Sequence, residues 1–209
     1  MKPWLLVAPE RPDDTSLPAA SRIARETAAR APLGPTVLAG RGAVRAAFEG
    51  LLDATPGLAG LAFFGHGADD RLYDADRPPE GKGPALLDRE NVSRLRGFWI
   101  HAFACWSGNA LATHAVESGA EIYVGYKRPL DAVTEVPADV VEAFLALVTT
   151  TTLALVQGER DERALRGRAS LAADDLYLVL ETLPDDTPGL IWLYPLAEAL
   201  VDDMIVARS

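Results

Sequence analysis

Cysteine is nearly absent: Cys105 is the one thiol in 209 residues, so no internal disulfide can form. Histidine is scarce too, at three. A zinc site of Cys105, His101 and His114 would lack the close ligand pairs and the fourth partner of a structural site, so no metal and no cofactor are expected. Positive charge is short, with 20 Lys and Arg against 30 Asp and Glu and a net charge of −10. The isoelectric point is near 4.8. With no basic stripe to displace condensed counterions, nucleic acid is excluded as the main partner, and a basic protein or peptide is easier to attract. No apolar run reaches the roughly 18 residues that cross a bilayer, and the amino terminus has no export-signal pattern. From these absences a cytoplasmic protein that engages no membrane is expected.

What is present is apolar mass. At 49% hydrophobic residues the chain holds enough for one large core, and a single domain over 1–209 is expected. Lys2 to Ala8 reads as a buried strand followed by a loop to Asp14. Pro18 to Ala31 carries Ile23, Thr27 and Ala31 on one helical face with Arg22, Arg25, Glu26 and Arg30 opposite. A short strand at Thr36–Leu38, a helix over Ala43–Ala54 and a third strand at Leu58–Phe64 continue the alternation, which is that of an α/β fold. Ala68 to Arg96 shows no long periodic segment, apart from a short helix at Asp88–Leu95, and reads as a functional loop. Asn91-Val92-Ser93 matches a glycosylation sequon, without meaning in a chain that has no export signal.

The organising stretch is Gly97 to Tyr126, a strand ending at Cys105, a helix over Asn109–Ser118 and a strand at Glu121–Tyr126. After a loop at Lys127–Pro137 come a strongly apolar helix over Ala138–Gln157, one or two helices in Glu159–Leu183, a short apolar stretch at Leu190–Leu193 and a last helix near Leu196–Val206.

Two side chains that carry chemistry fall at equivalent places. His66, between Gly65 and Gly67, and Cys105, before Trp106-Ser107-Gly108, each follow a core strand, 39 residues apart (105 less 66). On neighbouring parallel strands, about 4.8 Å apart, both would project from the carboxyl edge, where open α/β sheets bind ligands. A thiol beside an imidazole makes a nucleophile and its base, and an adjacent imidazolium lowers the ordinary thiol pKa of about 8.5. The plain alternatives are a core cysteine and a histidine satisfied by hydrogen bonds. His101, four residues before Cys105, is expected to pack against a helix, and His114 to be partly exposed or hydrogen-bonded.

At these residues the chain resembles the caspase-like cysteine peptidases, and among them the CHAT group of caspase and separase relatives. The resemblance rests on Phe63-Phe64-Gly65-His66-Gly67, on Ala104-Cys105-Trp106-Ser107-Gly108, and on the run from Glu117 to Gly125 with Gly119-Ala120 at its centre. Ala143-Phe144, Gly158 and Ala164-Leu165 extend it, and it covers roughly Leu58 to Ala173. It implies a three-layer sandwich with a mostly parallel central sheet and helices on both faces. It also implies a peptide-bond hydrolase in which Cys105 attacks the scissile carbonyl, His66 protonates the leaving amine and the N–H groups of Gly67 and Cys105 hold the oxyanion. By analogy the resemblance also implies a place in a stress, cell-death or defence pathway, with cleavage of a specific partner protein under the control of a regulatory partner. Trp106, where many relatives have a smaller or polar residue, and Ser107 would line the substrate site.

Specificity is expected from charged loops, although such loops are often simply solvated. Asp69, Asp70, Asp74 and Asp76 would accept an Arg or Lys side chain, whereas Lys127, Arg128 and Arg11 would accept Asp or Glu. The aspartates near His66 and the net charge favour a basic residue before the cut. The rival readings are a catalytically silent caspase-like module that binds a protein partner, and an unrelated α/β domain that binds a small molecule.

Overall fold

Alternate residues of the first strand are buried on opposite sides of one sheet, and that fact builds the architecture. Trp4, Leu6 and Ala8 enter one apolar cluster, while Leu5 and Val7 enter the other. In a strand with period two, burial of both sets means that both faces of the sheet are covered. The computed structural model describes residues 3–11, 20–76, 83–130, 137–187 and 189–209. Asp14, the first turn expected at Pro18, residues 131–136 of the expected loop and Pro188 lie outside the described residues.

The central sheet has six strands in the order β2-β1-β3-β7-β8-β9. They are β1 (Trp4–Pro9), β2 (Thr36–Gly40), β3 (Gly60–Phe64), β7 (Trp99–Phe103), β8 (Ile122–Tyr126) and β9 (Met204–Arg208). All neighbours pair in parallel except β8 and β9. One face packs on α1 (Ala20–Arg30), α4 (Ala138–Val156), α5 (Glu162–Leu180) and α6 (Leu190–Asp202). The other packs on α2 (Arg45–Ala54), α3 (Ala110–Glu117) and the small sheet described below. The expected three layers, with a mostly parallel sheet between helices, are present. Among the described residues no helix is long and apolar enough to cross a membrane.

Four local expectations are corrected. The stretch after His66 is not an unstructured loop: β4 (Gly67–Ala68), β5 (Arg71–Tyr73) and β6 (Ala85–Leu87) form a second, antiparallel sheet, followed by a 3-10 turn at Val92–Leu95. These strands are two or three residues long, too short to show alternation in the sequence. The Cys105 strand stops at Phe103, two residues early. Residues 190–202 form one helix that contains Pro195. The end of the chain is strand β9, where the sequence reading carried the last helix to Val206. A five-residue segment takes its conformation from the open edge of β8, a tertiary signal. Asn91 of the sequon is 4% exposed and donates its amide hydrogens to Leu86 O and Glu49.

Candidate active site

Register decides where the two candidate side chains meet. Gly60 faces Trp99 and Phe64 faces Phe103, an offset of 39 residues at every pair of β3 and β7. The offset between His66 and Cys105 is the same, and the chains stay together past the strand ends, since Gly65 N–H donates to Phe103 O at 3.1 Å. Both residues are half-buried at the carboxyl edge. Each lies two positions past the last residue of its strand, Phe64 and Phe103, which are partners in that register.

Gly67 packs still closer. A Cβ at this position would lie 2.8 Å from the carbonyl oxygen of Cys105 and 2.9 Å from Ala104 Cβ, so only glycine fits without displacing the main chain that carries the thiol. His66 O in turn accepts the N–H of Tyr73 at 3.0 Å, which ties the histidine to the small antiparallel sheet.

After Cys105 the backbone turns through a left-handed residue, Trp106, at φ 53°. A bulky side chain is uncommon there and costs on the order of 1–3 kcal/mol. Hydrogen bonds hold the turn: Trp106 N–H donates to Arg128 O at 3.2 Å, and Asn109 N–H to Trp106 O at 3.1 Å. The outcome is a tryptophan 41% exposed, next in the chain to the thiol.

Ser107 takes a different place from the one expected. It is fully buried, its hydroxyl lies 2.8 Å from both Ala102 O and Ala104 O, and its oxygen accepts the N–H of Tyr126 at 3.2 Å. It clamps the end of β7 to β8 and has no surface to offer a substrate. Gly108 and Gly125 permit the clamp, because a Cβ on either would meet the other segment's backbone at 2.8 to 2.9 Å.

The four aspartates do not form one acidic pocket. Asp69 is exposed, accepts an amide hydrogen of Asn109 at 2.8 Å, and its carbonyl accepts Leu111 N–H at 2.7 Å, which joins the His66 loop to the start of α3. Asp70 makes two 2.8 Å hydrogen bonds with Arg71. Asp74 is buried, and its carboxylate accepts the N–H groups of Arg45 and Asp76, while Asp76 is exposed. Burial raises the Asp74 carboxyl above the usual carboxylate range.

On the opposite flank Lys127 is exposed, and Arg128 pairs with Asp203 at 2.5 Å. Arg11 is half-buried two residues past the end of β1, across β3 and β7 from the end of β8, so it does not stand with Lys127 and Arg128 as expected. Beside those two lies a different contact, unsuspected from the sequence: Leu130 N–H donates to Cys105 Sγ at 3.2 Å.

The other histidines stand apart. His101 is fully buried, with Nδ1 2.6 Å from Thr152 Oγ1 and Nε2 3.1 Å from Tyr126 Oη, and desolvation lowers its pKa to about 3. It is the neutral core histidine packed against a helix that was expected, and Thr152 comes from a run of threonines on α4. His114 is half-buried on α3, with Nδ1 lacking a partner. Among the described residues no cluster of His, Cys, Asp or Glu could hold a metal ion.

No protein-family profile and no curated protein matches the sequence. Solved structures do match the fold. The Arg specific cysteine proteinase gingipain R aligns at a TM-score of 0.57 and 13% identity, over 99% of this chain and 46% of that one. The complex of the pro- and mature domains of RgpB from Porphyromonas gingivalis aligns at 0.54 and 11%, over 99% and 47%. The chain thus spans under half the length of these structures. It shares their caspase-like α/β fold.

Proposed function

We propose that the chain is a cysteine endopeptidase of the CHAT type that cuts a partner protein. The observation that carries this reading is that His66 and Cys105 each follow by two residues the ends of paired parallel strands, whose last residues Phe64 and Phe103 are partners. Cys105 Sγ attacks the scissile carbonyl, and the oxyanion is held by the N–H groups of Gly67 and Cys105. His66 takes the thiol proton and passes it to the leaving amine. Water then adds to the thioester, with His66 as base, and releases the acid and the free thiol. Trp106 supplies an exposed apolar wall beside the sulfur.

A basic residue before the cut is the preferred substrate. Asp69, exposed three positions after His66, is the carboxylate best placed for it, with Asp70 beside it. One fold neighbour is an Arg specific cysteine proteinase, which supports the same preference. Lys127 and Arg128 lie on the opposite flank and repel a basic side chain, which favours its entry from the Asp69 side. A defence or cell-death setting with a regulatory partner remains the proposed context.

A positional-scanning library of fluorogenic peptides tests the reading. Cleavage after Arg or Lys by the wild type, lost in both Cys105→Ala and His66→Ala, is the expected result. Cleavage that survives Cys105→Ala would sink it. The second reading, a silent partner-binding module, draws on the Leu130 contact to the sulfur, and predicts capture of a partner that Cys105→Ala leaves intact.

A further inference from the structure

The sulfur of Cys105 is held by the protein's own main chain. Leu130 N–H donates to Sγ at 3.2 Å, and the thiol can donate to the carbonyl oxygen of the same residue at 3.7 Å. A carbonyl under attack must come within about 3–3.5 Å of that sulfur. Both polar atoms of the Leu130 backbone already lie at or near this range, where the peptide unit of a substrate would have to sit.

The holding segment is fixed along its length. Lys127 N–H donates to Asp203 O at 3.0 Å, and Arg128 Nε to Asp203 Oδ2 at 2.5 Å. Arg128 O accepts Trp106 N–H, and the Leu130 side chain is sunk in the core at 6% exposed. The ion pair is lopsided, with the Arg128 side chain 69% exposed and that of Asp203 14%. Its outer member can therefore let go without opening the core.

We propose that Lys127–Leu130 is an autoinhibitory strap. It keeps the substrate's place at Cys105 filled until the Arg128–Asp203 pair breaks. The proposal rests on reading Cys105 as the nucleophile.

Because Cys105 is the one cysteine, its alkylation by iodoacetamide can be followed by mass spectrometry without interference. Arg128→Ala and Asp203→Asn should each be alkylated roughly two- to fivefold faster than wild type, the scale of a partly exposed ion pair. Leu130→Ala, which removes the buried anchor, should be faster again, while Arg128→Lys, which keeps the charge, should stay near wild type. Circular dichroism and thermal melting identify the variants that remain folded. Unchanged rates in folded Arg128→Ala and Asp203→Asn overturn the strap. Slower rates also overturn it, since Leu130 N–H would then be supporting the thiolate. Peptide hydrolysis, measured in parallel, separates this proposal from the peptidase reading: faster alkylation with faster cleavage upholds both, cleavage with unchanged alkylation overturns the strap alone, and faster alkylation without cleavage shows a cover over the thiol but defeats the peptidase and the inhibitory role with it.

Discussion

The α-carbon of Gly67 lies so close to Cys105 that a methyl group on it would sit 2.8 Å from the Cys105 carbonyl oxygen. The segment bearing the histidine and the segment bearing the thiol are therefore one packed unit. Gly67→Ala should push them apart and destabilise the fold by about 1–3 kcal/mol, as overpacking does. Urea denaturation checks the stability, and the alkylation rate of Cys105 checks the site. A variant as stable as wild type would show that the approach is looser than described.

Trp106 holds a left-handed backbone that β-branched residues resist and asparagine tolerates. Trp106→Val should cost about 1–2 kcal/mol more than Trp106→Asn. Equal urea midpoints for the two variants would mean that the turn is not under strain.

Ser107→Ala tests a scaffold role. The alanine leaves Tyr126 N–H without the hydroxyl oxygen that accepts it and removes the hydroxyl donor shared by Ala102 O and Ala104 O, in a buried place. A loss of about 1–3 kcal/mol is expected. A loss well under 0.5 kcal/mol, in the range of an ordinary surface change, would return Ser107 to the list of substrate contacts.

His101 predicts acid sensitivity. Its folded pKa, about 3, lies below the unfolded value of about 6.5. The folded state therefore favours the neutral ring, so the stability it contributes is full above pH 6.5 and falls as the pH drops from there toward 3. The slope reaches about 1.4 kcal/mol per pH unit. Buried Asp74 has the opposite sign, because its carboxyl is raised. A comparison with His101→Gln isolates the histidine: chemical denaturation between pH 6.5 and 4 should show a flatter decline in the variant. Parallel curves would mean that the ring gains a proton without penalty.

Much of this site was legible in the chain. Gly65-His66-Gly67 and Cys105-Trp106-Ser107-Gly108 stand out because they interrupt apolar runs, and the alternation of strands with amphipathic segments fixes the α/β class. Those signals are local, so sequence carries them. The roles of Ser107 and Asp74 were misread for the same reason. A polar residue in a loop looks available to a ligand, and only packing tells that Ser107 is turned onto β7 and β8, or Asp74 onto Arg45.

The sequence by itself determined the class of the fold and the two strand-end motifs, because apolar periodicity and glycine placement act over a few residues. Tertiary structure alone decided that β3 and β7 pair with Phe64 opposite Phe103, that residues 204–208 close the sheet as a strand, and that Leu130 reaches the sulfur. Each of these depends on register between segments 25 or more residues apart. Such register is settled by the joint burial of both sheet faces and by hydrogen bonds across chain edges, which no local pattern encodes.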